Sequence, residues 1–89
     1  MITTIYSDRF MNDMANIYAD KVYKAVIDAI RAIETMPGVG SLLIRMSLQE
    51  EFGKNIRKVV VNPFDLIYEY DQEKAIVYLH ALIYQRSIK

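Results

Sequence analysis

Several residue types that carry chemistry are absent or rare in this 89-residue sequence. There is no cysteine, which excludes a disulfide framework, a thiolate metal site and a cysteine nucleophile, and we expect a reducing, cytoplasmic setting. The three glycines, Gly38, Gly40 and Gly53, lack the spacing of a phosphate-binding loop, so nucleotide binding is not expected. One histidine and scattered acidic residues give too few converging ligands for a metal, and we expect no other cofactor.

Long apolar runs and an excess of charge of one sign are also lacking. No apolar run approaches the roughly 20 residues that cross a bilayer, and no basic segment precedes an apolar one, so neither secretion nor membrane insertion is expected. Basic and acidic residues number 11 each, with five against seven in residues 1–53 and six against four in residues 54–89. Because nucleic-acid binding depends largely on cations that neutralise phosphates, this balance disfavours avid binding to DNA or RNA.

The length and composition predict one folded domain over residues 1–89. Hydrophobic residues make up 53% and charged residues 25% of the chain, which is enough apolar surface for a core and unlike a disordered sequence. A chain this short does not provide two independent cores, and no internal repeat or linker divides it.

The first part of the chain predicts a short strand followed by a helical hairpin. Apart from the initial methionine, residues 1–6 are β-branched or aromatic, and Ser7 can cap a helix start. A first helix is predicted to end near residues 19–21, and its apolar face comprises Phe10, Met14, Ile17 and Tyr18. A second helix is predicted to end at Met36, because the proline and glycine that follow break the pattern. Its apolar face comprises Val22, Val26, Ile27, Ile30 and Ile33.

The second half of the chain predicts strands, after an ambiguous segment at residues 41–53. That segment fits one or two helical turns as well as it fits an irregular crossover. Three runs rich in β-formers follow and predict an antiparallel meander over residues 56–61, 64–70 and 75–84. The last run is apolar at nearly every position, so it is predicted to be a central strand covered on both faces.

Alternation along this last strand assigns its side chains to two faces. The odd positions are predicted to face the helices: Ala75, Val77, Leu79, Ala81 and Ile83. The even positions Tyr78, His80 and Tyr84 are predicted to face the other way. Together these elements predict an α+β fold, in which an N-terminal strand and a two-helix hairpin pack on a mainly antiparallel sheet with a C-terminal three-strand meander.

One histidine raises the question of catalysis. His80 shares its strand parity with Tyr78, Tyr84 and Arg86, and histidine is the side chain best suited to acid–base chemistry near neutral pH. Such a group could bind and cleave an RNA phosphodiester. A histidine between Leu79 and an alanine in a central strand is more commonly a packed, hydrogen-bonded residue, which is the interpretation we favour.

Cationic and aromatic residues suggest contacts with partners. Arg57 and Lys58 open the first strand of the meander, and with Arg86 they could form a small patch that meets RNA, an acidic protein or solvent. Four of the seven tyrosines lie in the sheet region: Tyr68, Tyr70, Tyr78 and Tyr84. Tyrosines in this setting more often pack in a core or a protein interface than stack on bases, so a protein interface is favoured.

Two stretches of the second half resemble one known family. Residues 55–71, NIRKVVVNPFDLIYEYD, are similar to the arginine-led strand, turn and following strand of the RelE/ParE toxin superfamily. Residues 75–87, AIVYLHALIYQRS, are similar to its closing strand, which commonly ends in a histidine or tyrosine followed by basic residues. In this alignment Arg57 matches the strand-opening arginine, Tyr84 the terminal histidine and Arg86 the basic residue after it. In layout, the resemblance extends over the whole chain.

The resemblance implies the toxin of a type II toxin–antitoxin system, a role linked to plasmid stabilisation, with a cognate antitoxin as partner. The family divides into ribosome-dependent mRNA endonucleases and ParE-like proteins, which inhibit DNA gyrase without an evident active site. The neutral charge favours a non-enzymatic, ParE-like toxin. Its expected partner-binding residues are Arg57, Lys58, Tyr84, Arg86 and Lys89. The endonuclease alternative, acting on ribosome-bound mRNA, would use Arg57, His80, Tyr84 and Arg86, and an inactive structural relative is a third alternative.

Overall fold

The fold is an α+β arrangement of four strands and three α-helices within residues 1–87, the part of the chain that this computed structural model describes. In chain order the elements are β1 (Thr3–Tyr6), α1 (Asp8–Ala15), α2 (Asp20–Thr35), α3 (Met46–Phe52), β2 (Ile56–Val61), β3 (Phe64–Asp71), β4 (Ile76–Tyr84) and a 3-10 turn (Gln85–Ser87). The sheet order is β1-β4-β3-β2, with β1 parallel to β4 and antiparallel pairing elsewhere. The predicted fold class, helical hairpin and meander are confirmed. Among these elements of residues 1–87, no helix has both the length and the apolar character needed to cross a bilayer.

α1 is shorter than its apolar spacing predicts. Ser7 caps its start by accepting a hydrogen bond from the Phe10 backbone N–H at 2.9 Å. The helix ends at Ala15, since Asn16 departs from helical backbone angles and its side-chain amide donates to a carbonyl four residues earlier at 3.0 Å. Tyr18, predicted to lie on the buried face, is instead 99% exposed.

α2 follows the predicted apolar stripe. Val26, Ile30 and Ile33 are buried, and the helix ends at Thr35, before Pro37 prevents its continuation. α1 and α2 cover one face of the sheet, called here the hairpin face. The sheet residues buried in this core are Val61, Leu66, Tyr68, Val77, Leu79 and Leu82.

The segment that the sequence left ambiguous contains both an extended bridge and a helix. Ser41 pairs with the edge of β2 through two backbone hydrogen bonds to Lys58, of 2.8 and 3.0 Å. α3 then makes about two turns on the opposite face of the sheet, called here the α3 face. Leu48 and Phe52 of this helix pack on the sheet residues Ile56, Ile67, Ala81 and Ile83. Both faces of the central strands are therefore covered, as predicted.

A β-bulge interrupts β4 at His80. The register places Leu79 opposite Tyr68 and Ala81 opposite Ile67, so His80 is an extra residue in β4. Because side chains alternate along a strand, one inserted residue exchanges the two faces for every position that follows.

The bulge corrects the predicted assignment of faces. Leu79 lies on the hairpin face, as predicted. Ala81 and Ile83, predicted to join it there, pack instead on the α3 face. Tyr84, predicted to point away from the helices, lies on the hairpin face opposite Phe64. The prediction from simple alternation is correct for His80 and wrong after it, because it does not take the extra residue into account.

α1 satisfies the backbone of β4 where β1 stops. β1 pairs with β4 only as far as Leu79, so the backbone groups beyond it lie at an open edge of the strand. The Ser7 hydroxyl donates to the His80 carbonyl at 2.9 Å, and the Asp13 carboxylate accepts from the Leu82 N–H at 3.0 Å. Side chains at the start of the helical hairpin thus hold the bulge in place.

Truncating the central strand should destabilise the protein. Leu79→Ala should lower the free energy of unfolding by about 2–5 kcal/mol, because Leu79 is fully buried beneath the hairpin. Urea titration followed by circular dichroism measures the change. The matched control is Leu43→Ala, since Leu43 is 85% exposed and its truncation should cost less than about 0.5 kcal/mol. Equally small losses for both variants would contradict the position of β4 in the core.

Candidate functional site

The residues of the predicted endonuclease set lie on different parts of the sheet. Arg57 is near the start of β2 on the hairpin face, and His80 faces α3. Tyr84 is on the hairpin face at the end of β4, and Arg86 is exposed in the 3-10 turn beyond it. The β3 partners of Arg57 and Tyr84 are four residues apart, about 13 Å along a strand. The structure brings Tyr84 and Arg86 to one end of the sheet but does not bring them together with the other two.

His80 is packed between the sheet and α3. Its Nε2 lies 3.3 Å from the Glu69 Oε1, and its ring centroid is 5.6 Å from that of Phe52. The Arg9 guanidinium lies 5.4 Å from the centroid of the same Phe52 ring and forms a 2.6 Å ion pair with Glu51. The histidine is therefore a packed sheet residue with a carboxylate partner. The contacts of Arg9, on α1, with Glu51 and Phe52 hold α3 over it.

Arg57 anchors the loop that follows α2. Its Nη1 donates to the carbonyls of Gly38 and Gly40, at 3.2 and 3.0 Å. The Tyr68 hydroxyl donates to the Pro37 carbonyl at 2.7 Å and accepts from the Gly40 N–H at 2.8 Å. One guanidinium and one phenol thus fix this loop on the hairpin face.

The environment of Tyr68 keeps its hydroxyl protonated. Burial raises the pKa of Tyr68 above its ordinary value, whereas the Gly40 N–H and the charge of Arg57 act in the opposite direction. Gly40 approaches this phenol so closely that a Cβ at its position would lie 2.7 Å from the Tyr68 ring and 2.9 Å from the Arg57 Cβ. A residue with any side chain would displace one of them.

Lys58 lies on the α3 face, because neighbouring residues of a strand point to opposite faces. Its Nζ is 3.9 Å from the Asp65 Oδ2, and this buried carboxylate also accepts from the Gln85 side-chain amide at 3.1 Å. The positive charge of Lys58 therefore has an internal partner. Arg57, Lys58 and Arg86, predicted as one possible cationic patch, occupy two faces of the sheet and the C-terminal turn.

Tyr84 stands between two cavities at the end of the hairpin face, which together we call the Tyr84 site. Its ring packs edge-on against Phe64 with 4.9 Å between centroids, and the residue is about half exposed. The cavities have volumes of about 270 and 250 Å³ and share Asn16, Phe64 and Tyr84. Arg86 follows two residues later, whereas Lys89, also predicted to bind a partner, lies outside the described residues.

Two further cavities contain residues that sequence reasoning did not single out. The hairpin groove, about 330 Å³, is lined by Tyr6, Met11, Met14, Ala15, Tyr23 and Ile27. The Lys54 cavity, about 450 Å³, is lined by Leu42, Lys54, Asn55, Arg57, Tyr70 and Gln72. In the first, only Met14 and Ile27 were predicted, as members of the apolar helix faces. The second joins three separate segments, so no local pattern indicates it. Within residues 1–87, no three side chains of the metal-ligating types converge.

Comparisons with known proteins place these features in context. A family model described as the ParE toxin of type II toxin–antitoxin systems, parDE, matches residues 4–88. A chain from the crystal structure of the intact E. coli RelBE toxin–antitoxin complex is similar in fold, with a TM-score of 0.69 and 13% sequence identity, over 94% of this chain and 96% of that one. A comparison with curated protein sequences finds no match.

Adding a methyl group at Gly40 should destabilise the loop that Arg57 and Tyr68 hold. Gly40→Ala should lower the free energy of unfolding by about 1–3 kcal/mol, because the new Cβ overlaps both side chains. Gly38→Ala is the matched control, since a Cβ there meets nothing within 4 Å. Thermal and urea unfolding measure both variants, and equal stabilities would contradict the close packing described here.

Proposed function

The chain belongs to the ParE toxin family of type II toxin–antitoxin systems, and from this premise we propose that it inhibits DNA gyrase by binding it and is neutralised by a cognate antitoxin. The mechanism requires a surface for a protein partner and does not require a catalytic centre.

The separation of the endonuclease residues is the observation that supports this proposal most. Cleavage of RNA requires an acid–base pair and cations held around one phosphate, where they stabilise charge as it develops. Arg57 and His80 lie on opposite faces of the sheet, and the guanidinium of Arg57 is used to bind two loop carbonyls. The ribosome-dependent endonuclease alternative would therefore need a rearrangement of the sheet.

The α3 face is also poorly suited to a phosphate. His80 contacts a carboxylate there, and the nearby cation Lys58 is paired with Asp65. α3 covers the histidine through Phe52. A phosphodiester would have to displace this helix and compete with both carboxylates, which supports a toxin that acts without cleaving RNA.

The Tyr84 site has the composition of a protein contact. It offers two aromatic rings, Tyr84 and Phe64, with Arg86 nearby, and tyrosine and arginine are enriched among residues that dominate binding energy. Its two cavities, of about 270 and 250 Å³, are smaller than most small-molecule sites. We assign the gyrase contact to this site together with the C-terminal residues that follow it.

The hairpin groove fits the antitoxin. Its exposed apolar residues Met11, Tyr6 and Tyr23 come from α1, the edge strand β1 and α2, which together form the groove. Contiguous exposed apolar surface on a small domain indicates a partner that covers it. Methionine adapts its shape to such partners.

Removing the charge at Arg86 tests the gyrase contact. Arg86→Ala should weaken inhibition of gyrase supercoiling at least about tenfold, because an arginine anchor at a protein interface commonly contributes 1.4 kcal/mol or more, roughly a factor of ten. The control is Arg31→Ala, which removes an exposed arginine from α2 and should leave inhibition unchanged. Supercoiling of relaxed plasmid by purified gyrase is the measurement, with trapped cleaved DNA as a second readout.

Two results would contradict the proposal. If the wild-type protein does not affect gyrase at any concentration, the gyrase target is wrong and the inactive relative becomes the better description. If Arg31→Ala and Arg86→Ala lose inhibition equally, gyrase is bound but not through the C-terminal end of the sheet.

A further inference from the structure

Apart from Arg57, the residues that line the Lys54 cavity belong neither to the predicted endonuclease set nor to the Tyr84 site. It lies at the edge of the sheet where β2 begins and β3 ends, and three separate segments form its walls. Two cations, Lys54 and Arg57, line it together with the neutral donors Asn55, Tyr70 and Gln72. Leu42, which is 59% exposed, provides an apolar rim.

The two cations in this cavity differ from other cations of the sheet and helices. Arg9 is paired with Asp13 and Glu51, and Lys58 with Asp65. Within residues 1–87, Lys54 and Arg57 form no ion pair. Their charges are therefore not neutralised by carboxylates of the described chain, which favours an anionic ligand from outside.

Arg57 is held in a fixed orientation by its own structural bonds. Its Nη1 donates to two loop carbonyls, of Gly38 and Gly40. A guanidinium has five N–H donors in a rigid planar fork, so Nε and Nη2 retain three N–H groups for which the described residues provide no acceptor. A planar donor set of this kind matches a carboxylate.

From these observations we propose that the Lys54 cavity binds a carboxylate side chain of an acidic peptide segment, and, given the proposed function, that this segment belongs to the antitoxin. Arg57 donates to the carboxylate, Lys54 neutralises it, and Leu42 contacts an apolar neighbour in the same segment. A nucleic-acid backbone fits less well, because two cations surrounded by neutral groups cannot follow a series of phosphates. The cavity lies at the β2 edge of the sheet, and the hairpin groove lies at the opposite edge, beside β1.

A charge-removing variant of an exposed residue tests the site without affecting the fold. Lys54→Gln should raise the Kd for the antitoxin about three- to tenfold and reduce its dependence on salt, because one charge pair is lost. The matched control is Lys74→Gln, which removes an exposed lysine from the nearby turn and should change the Kd less than twofold. The probe is the purified product of the adjacent reading frame, titrated calorimetrically at low and high salt.

The titration is combined with a gyrase assay and an RNA-binding assay of the same variants, and each outcome has a distinct meaning. Equal Kd values for Lys54→Gln and Lys74→Gln, with tight binding by the wild type, overturn the site and leave the proposed function intact. Loss of gyrase inhibition with unchanged antitoxin affinity overturns the antitoxin assignment. Binding of labelled single-stranded RNA that Lys54→Gln abolishes overturns the peptide assignment. No complex with the wild type shows that the proposed antitoxin function itself fails.

Discussion

The extra residue in β4 is the constraint on which the rest of the structure depends. Insertion of His80 exchanges the faces of the strand, so its first half contributes Leu79 to the core under the hairpin and its second half contributes Ala81 and Ile83 to the core under α3. One central strand thereby supplies two apolar cores. If β4 alternated regularly through His80, without the bulge, the second core would lose Ala81 and Ile83, and the hairpin face would gain side chains for which it has no space.

Polar groups around the bulge link α1 and α3 to the sheet. Beyond the end of β1, the side chains of Ser7 and Asp13 form hydrogen bonds with backbone groups of β4. These bonds replace the ones that a longer β1 would otherwise make with β4. Arg9, one turn earlier on α1, reaches Glu51 and Phe52 and so joins the first helix to α3. The bulge, the first helix and the third helix form one connected arrangement, and His80 is at its centre.

Sequence patterns predict the parts of this fold that repeat, and they fail where a single residue changes the period. The stripe of Val26, Ile30 and Ile33 and the three β-rich runs identify α2 and the meander, because each has a uniform period. The bulge is not visible, since a leucine, a histidine and an alanine in succession give no signal of an extra residue. That error places Tyr84 on the wrong face, although the likeness to the family predicts Tyr84 as a partner-binding residue.

Contacts between distant segments were equally inaccessible from the sequence. The loop after α2 brings Gly40 to Arg57 and Tyr68 only when it folds back on the sheet. Because Arg57 and Tyr68 form hydrogen bonds with this loop, the arginine has a structural role in addition to any role in binding. The family likeness predicts a binding role for Arg57 but gives no indication of these structural bonds. Its position on the face opposite His80 is the main support for the proposal that the protein acts by binding another protein.

The most direct test of that description is the integrity of mRNA in a translating extract. Wild-type protein is added at a concentration that saturates gyrase inhibition, and the 5′ ends of a reporter mRNA are mapped by primer extension. The expected result is full-length mRNA without new ends, because the residues that would cleave it lie on two faces of the sheet. Cleavage within codons that disappears in a folded His80→Ala variant would contradict it.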